Sequence, residues 1–62
     1  MRPAIARRSA QRLIREGQRF EVMAARLRAN FPNHARAIRQ IASHLGDTGR
    51  SLIDEIEKGG PT

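Results

Sequence analysis

The chain has 62 residues and a formal net charge of +6, with twelve Lys and Arg residues against six Asp and Glu residues. This length predicts a single domain, and the absence of cysteine excludes a disulfide framework and a thiolate metal site. The sequence has no apolar run of about 18 residues, which excludes a transmembrane helix. We therefore expect a cytoplasmic protein.

The positive charge lies in the first half of the chain. Residues 1–31 hold eight arginines against two glutamates, a net charge of +6, whereas residues 32–62 hold four basic and four acidic residues. Eleven of the twelve basic residues are Arg, whose planar guanidinium binds phosphate and carboxylate in a bidentate manner. This asymmetry predicts a basic surface for nucleic acid, anionic lipid or an acidic protein, although a solvated face in an Arg-rich proteome has the same composition.

A long first helix is predicted by the spacing of small and apolar residues. After Pro3, which suits a first helical turn, they recur in alternating steps of three and four, at positions 3, 6, 10, 13, 17, 20, 24, 27 and 31. This heptad pattern predicts one helix over residues 3–30. Glycine inside a helix costs about 1 kcal/mol, so a break at Gly17 into helices 3–16 and 18–30 is the alternative, but the pattern continues in phase through it. The acid-free first fifteen residues resemble an organelle-targeting segment, yet the same pattern makes them part of the fold.

Two shorter helices are predicted after Pro32, over residues of about 34–45 and 50–58. Asn33 is a favourable N-cap. Gly46 suits the left-handed position that ends a helix, and the following Asp-Thr-Gly is typical of a turn. The expected fold is therefore all-α, a small helical bundle.

The predicted bundle leaves apolar surface uncovered, because Ile14, Val22 and Met23 lie outside the heptad positions of the first helix. A chain of this length without disulfides or metals often needs oligomerisation. We expect a two-fold homodimer that completes the bundle, with residues 1–58 as its domain and 59–62 as a flexible tail. The predicted interface comprises Leu13, Ile14, Gly17, Phe20, Met23, Ala24 and Leu27.

Residues 38–57 resemble a helix-turn-helix motif. A small residue, Ala42, stands where two helices would cross, and Gly46 stands where the turn would leave the first of them. Asp47 departs from the pattern, since an apolar residue usually packs there. The last helix also carries three carboxylates, which oppose phosphate binding. A plain helical hairpin is the alternative interpretation.

The arginines of the first helix are the stronger candidates for phosphate contact, because Arg8, Arg12, Arg15 and Arg19 recur in steps of four, three and four and Arg26 extends their stripe. No aromatic residue lies among them, so a base-stacking platform for single strands is not expected. The alternative is that carboxylates of the last helix, at positions 54, 55 and 57, pair with these arginines in the dimer. The full predicted set is Arg7, Arg8, Arg12, Arg15, Arg19, Arg26, Arg36 and Arg39.

No residue pattern indicates an enzyme or a metal centre. His34 and His44 are ten residues apart, which does not suit joint metal binding from one helix. The serines lack a nucleophile elbow, and residues 46–49 do not form a phosphate loop. We expect no catalytic residues, no cofactor, no small-molecule substrate and no membrane partner.

The leading hypothesis is a small basic regulatory protein that binds DNA or RNA as a homodimer and acts by occupancy, as in transcription regulation. The alternative is a helical adaptor or inhibitor that docks in an acidic or apolar groove of a larger protein. It would use Ile14, Val22 and Met23, with arginines at the rim.

Overall fold

The computed structural model describes residues 2–59, which form two antiparallel helices joined by a short turn. Helix α1 spans Pro3–Leu27 and helix α2 spans Pro32–Glu57. No β-strand occurs within residues 2–59. The all-α class is therefore confirmed, and the molecule is a helical hairpin with Cα extents of 48 × 13 × 13 Å.

Helix α1 is continuous through Gly17, as the unbroken heptad phase predicts. Its first residue is Pro3, and the N-cap Arg2 has extended backbone angles. The helix ends at Leu27, three residues before the predicted end. The reason is the approach to Pro32: the residue before a proline avoids helical geometry, and Phe31 has φ −134° and ψ 65°.

Helix α2 replaces the two short helices predicted over residues 34–45 and 50–58. The predicted third helix is not confirmed, because the chain stays helical through residues 46–49. Gly46 and Gly49 do not form a turn; both are buried on the side of α2 that packs against α1. The helix also begins earlier than expected, with Pro32 in its first turn and Phe31 as N-cap, so Asn33 does not cap it.

The C-terminal end of α2 closes on a glycine. The Lys58 N–H donates to the Asp54 carbonyl at 3.0 Å, and the Gly59 N–H donates to the Ile56 carbonyl at 3.1 Å. Gly59 has φ +93°, a left-handed conformation that glycine adopts without steric cost. The rest of the predicted tail, residues 60–62, lies outside the described residues.

The two helices pack through residues with minimal side chains, at a seven-residue spacing in each helix. We call this set the seam: Ala10, Gly17 and Ala24 of α1 with Ala35, Ala42 and Gly49 of α2, all of them buried. A Cβ atom placed on Gly17 would lie 2.9 Å from the Ala42 carbonyl oxygen, and one placed on Gly49 would lie 2.7 Å from the Ala10 carbonyl oxygen. The backbones of the two helices are therefore in direct contact.

This close packing leaves the hairpin without a core of large side chains. Its buried hydrophobic residues are all alanines, and no large side chain within residues 2–59 is fully buried. The accessible surface is 5255 Å², whereas a folded monomer of 7.0 kDa exposes about 4,000 Å². The Cα radius of gyration is 14.1 Å, against about 11 Å for a compact domain of this length.

The glycines of the hairpin provide a matched test of the seam. We expect Gly17→Ala to lower the free energy of unfolding by about 1–2 kcal/mol, because the cost of overpacking against backbone exceeds the gain in helix propensity. Gly49→Ala meets backbone and the Ile14 side chain at 2.7 Å, so the same direction applies. Urea unfolding followed by circular dichroism at fixed protein concentration measures the change.

Gly46→Ala is the control, because the atoms nearest to the added Cβ atom belong to the end of the flexible Arg50 side chain, the first of them at 3.3 Å. We expect this variant to be more stable than the parent by up to about 1 kcal/mol, since alanine favours the helix. If Gly17→Ala proved as stable as Gly46→Ala, the direct backbone contact at the seam would be contradicted.

Candidate functional site

The seam divides the surface of the hairpin into two flanks. In a helix, the residue three positions after a seam residue lies on one side of the seam, and the residue four positions after it lies on the other side. The two antiparallel helices are related by an approximate two-fold axis perpendicular to the plane of the hairpin. Equivalent positions of α1 and α2 therefore share one side of the molecule. One side is apolar, and the other carries the charged residues described below.

The first side is an apolar flank, made of the residues that lie three positions after each seam residue. It consists of Leu13, Phe20, Leu27, Ile38, Leu45 and Leu52, and all six are partly exposed. Met23 and Ile41 widen it, with 43% and 53% of their surfaces exposed. The flank runs for about 21 Å along each helix at 1.5 Å per residue. A continuous strip of large apolar side chains is thus only partly covered within the hairpin.

The second side is a polar flank, on which residues four positions after the seam residues lie. Glu21, Arg28 and Arg39 occupy three of these six positions, and Gly46 occupies a fourth. The other two are apolar, Ile53 and Ile14, which packs beside Gly49. Two grooves run along this flank. The smaller holds about 150 Å³ near the middle of the hairpin, between Gln18 and Ser43.

The larger groove of the polar flank holds about 490 Å³ and lies next to the turn between the helices. We call it the loop-end groove. Its floor is made of small residues, including the buried Ala24 and Ala35. Its full lining is Glu21, Ala24, Ala25, Arg28, Pro32, Ala35, Arg36 and Arg39. The groove therefore combines three guanidinium groups with one carboxylate over a shallow, open floor.

The outer face of α1 points away from α2 and is strongly basic. It carries the arginine stripe predicted from the sequence, Arg8, Arg12, Arg15, Arg19 and Arg26, and all five are exposed. The stripe extends about 27 Å, from the 1.5 Å rise of a helical residue. The two carboxylates of α1 lie elsewhere, Glu21 on the polar flank and Glu16 beside the apolar flank. The face therefore presents a row of positive charge, in which, over residues 2–59, only Arg19 lies within ion-pair distance of a carboxylate, that of Glu16.

Ion pairs within residues 2–59 join only residues of the same helix. They are Arg19–Glu16 at 3.6 Å, Arg50–Asp47 at 3.5 Å and Lys58–Asp54 at 3.0 Å. All six side chains are at least 42% exposed, and exposed pairs contribute only about 0–1 kcal/mol. In the described part of the chain, the arginines of α1 are thus not paired with the carboxylates at the end of α2.

The predicted interface residues separate into three environments. Gly17 and Ala24 are buried in the seam, so their contact is with α2 of the same chain. Ile14 lies on the polar flank. Leu13, Phe20, Met23 and Leu27 lie on or beside the apolar flank and remain accessible to a partner.

The predicted phosphate-binding residues fall on two surfaces. Five form the outer face of α1, whereas Arg36 and Arg39 line the loop-end groove. Arg7 lies on the polar flank, at the opposite end of the hairpin from this groove. Arg28 completes the groove and was not among the predicted residues. Its signal in the sequence is its position four residues after Ala24, equivalent to that of Arg39 after Ala35.

The apolar residues proposed for docking on a larger protein do not share one surface. Ile14 lies on the polar flank, Val22 on the outer face of α1 and Met23 beside the apolar flank. The segment that resembles a helix-turn-helix lies wholly within α2 and contains no turn. Neither motif assembles in the form that its sequence pattern suggests.

Comparison of the chain with protein-family models, curated proteins and solved structures finds no match. Over residues 2–59, neither helix has an apolar stretch that would cross a lipid bilayer. The same residues hold no group of three or more side chains suited to binding a metal ion. The candidate sites are surfaces of the hairpin. Two of them, the outer face of α1 and the loop-end groove, carry an excess of positive charge.

The arginines of the outer face contribute little to the fold, because they are exposed and only Arg19 has an ion-pair partner. We expect Arg12→Gln and Arg15→Gln each to change the free energy of unfolding by less than about 0.5 kcal/mol, the usual range for surface substitutions. Thermal unfolding by circular dichroism checks this. A loss of more than about 2 kcal/mol would mean that these side chains have a structural role.

Proposed function

We propose that the protein binds the phosphate backbone of a nucleic acid through the outer face of α1, acts as a homodimer of hairpins, and regulates by occupying its site. The observation that carries this proposal is the stripe of five exposed arginines along one face of a continuous helix, of which only Arg19 has an ion-pair partner within the described residues. Binding blocks or organises the nucleic acid and involves no chemical step.

The geometry of the stripe suits a polyanion. Duplex DNA carries one negative charge per about 1.7 Å of its axis, and phosphate contacts supply most of the sequence-independent affinity. A straight row of about 27 Å lies alongside several successive phosphates at once. Each guanidinium offers five N–H donors in a fork that fits phosphate oxygens.

The distribution of charge favours α1 over α2 as the contact surface. The outer face of α2 carries Asp47 and Asp54, and its exposed neighbours are largely neutral. Carboxylates directed at a phosphate backbone are unfavourable. Binding through α1 directs the acidic residues of α2 away from the ligand.

The homodimer is supported by the surface that the hairpin leaves exposed. The accessible surface of 5255 Å² exceeds that of a compact monomer of this mass by about 1,200 Å². A stable interface needs about 800 Å² from each partner, so the excess is sufficient. We assign the apolar flank to this interface, because it is the largest concentration of partly exposed apolar side chains in the described residues.

Pairing two apolar flanks produces a four-helix bundle. The flank lies on one side of the hairpin, so two copies stack face to face and each copy supplies the same residues, as a two-fold interface requires. Phe20, Leu27 and Leu45 would then pack between the two layers. The outer face of α1 lies at the lateral edge of each layer, so its arginines remain exposed in the dimer.

The adaptor hypothesis has less support, because its proposed contact residues lie on three different surfaces. Helix-in-groove docking requires anchors on one face of a helix. The apolar flank does offer such a face, but in the proposed dimer it is already covered.

Salt dependence tests the nucleic-acid proposal. We expect duplex DNA or duplex RNA of about 20 base pairs to bind with log K falling linearly against log salt, with a slope of about −0.9 for each phosphate contacted. Arg12→Gln with Arg19→Gln should weaken binding and reduce the magnitude of the slope by about 2–4, since each dimer loses four guanidinium groups. Fluorescence anisotropy measures both quantities.

The control for this pair is Arg50→Gln with Lys58→Gln, which removes the same charge from α2. We expect it to leave the slope nearly unchanged. Absence of binding at low salt to both duplexes would overturn the proposal, and so would an equal loss of affinity in the two double variants.

The oligomeric state tests the assigned interface. We expect sedimentation equilibrium to give the mass of two chains, and Phe20→Glu to give the mass of one, because a carboxylate in an apolar interface is strongly unfavourable. Val22→Glu is the control: Val22 is 52% exposed on the outer face of α1, so the dimer should persist. A parent protein that remains monomeric at about 100 μM would contradict the interface.

A further inference from the structure

We infer that the loop-end groove is a binding site for a phosphate group that carries two negative charges. The site is separate from the outer face of α1, and its shape and charge stand independently of the proposed function. Two sources supply such a group: free inorganic phosphate, and a phosphate monoester such as the 5′ end of a nucleic acid. The second source rests on the proposed function.

The groove is formed by the way the helices approach the turn. Arg28, the C-cap residue of α1, and Arg39 of α2 each lie four residues after a buried seam alanine, and both line the groove. The turn of residues 28–31 fixes the separation of the two helix ends. Arg36, which lies about one helical turn before Arg39 on α2, also lines the groove. Three arginines, one from the C-cap of α1 and two from α2, therefore line one volume of about 490 Å³.

The charge of the groove matches a dianion. Its three arginines stand against a single carboxylate, Glu21, which leaves a net charge of +2. Within residues 2–59, none of the three lies within ion-pair distance of a carboxylate. A phosphate monoester carries about −1.5 to −2 charges at neutral pH, so one such group neutralises the excess and relieves repulsion among the arginines.

The geometry distinguishes this site from the stripe on α1. A backbone phosphodiester carries one charge, and a row of separate guanidinium groups suits a row of such phosphates. Converging guanidinium forks instead surround one phosphate and donate several charge-assisted hydrogen bonds to it. The floor is made of alanines and a proline, and small-ligand sites span about 300–1,000 Å³. The groove therefore has room for part of the molecule to which the phosphate is attached.

Titration of the ¹⁵N-labelled full chain with inorganic phosphate at low ionic strength tests the site. We expect amide shifts concentrated in residues 21–39 that saturate in the range of about 1 mM, and a several-fold weaker response to the monoanion perchlorate. Arg28→Gln with Arg39→Gln should abolish the saturating shifts, whereas Arg50→Gln with Lys58→Gln should not. Shifts that are absent, or spread evenly over both helices, would overturn the inference.

Glu21→Gln gives a prediction of opposite sign. Removal of the competing carboxylate raises the net charge of the groove from +2 to +3, so inorganic phosphate should bind several-fold more tightly than it binds to the parent. Loss of a merely solvated surface glutamate would leave the affinity unchanged, and that result would contradict the assignment.

Paired oligonucleotides separate the two sources of phosphate. We expect a 5′-phosphorylated duplex to bind several-fold more tightly than the same duplex with a 5′-hydroxyl, and this preference should disappear in Arg28→Gln with Arg39→Gln. Equal binding of both ends, together with saturating phosphate shifts, would support free phosphate as the ligand. If neither duplex binds, the proposed function fails, while the phosphate titration still decides the site.

Discussion

Direct contact between the backbones of α1 and α2 determines the shape of this molecule. A Cβ atom on Gly17 or Gly49 would lie within 3 Å of a carbonyl oxygen on the opposite helix, so these two closest points of the seam accept only glycine without a shift of the backbone. Such packing holds two long helices together with little buried apolar surface, because alanine and glycine have few atoms to bury. The large side chains are consequently displaced from the seam, and the apolar flank receives the largest share of them.

The displaced side chains leave the hairpin without a core of large residues. Burial of large apolar side chains is the main favourable term in folding, and none is fully buried within the described residues. The six residues of the apolar flank are only partly covered within the chain. In the proposed dimer a second copy presents the same strip, and association would add the hydrophobic layer that close packing keeps out of the single hairpin.

Much of the fold follows from the sequence, and its principal error has a physical cause. The heptad phase across Gly17 correctly predicts an unbroken α1. The same phase connects Ala35, Ala42 and Gly49, yet Gly46 and Gly49 were interpreted as a turn because glycine is also typical of helix ends. The two uses of glycine, chain reversal and close approach, look alike in a sequence. The seven-residue spacing identifies Gly49 as a close-approach residue, whereas Gly46 lies outside this spacing. The arginine stripe follows from helical periodicity alone, whereas the loop-end groove depends on which residues of α2 face Arg28, a register that only the fold determines.

The separation of charge and apolar surface on this small molecule links assembly to binding. In the proposed assembly each hairpin contributes one basic outer face, so a dimer would present two. A nucleic acid long enough to reach both would meet the second face at a high effective concentration after binding the first. Individual phosphate contacts are weak at physiological salt. A dimer would double the number of these contacts and so raise the affinity that a chain of this length can reach. The apolar flank and the arginine stripe lie on different sides of α1, so burial of the apolar flank in the proposed dimer would leave the arginines accessible. The fraction of nucleic acid that is occupied would therefore depend on protein concentration through two equilibria, dimerisation of the hairpin and binding of the dimer.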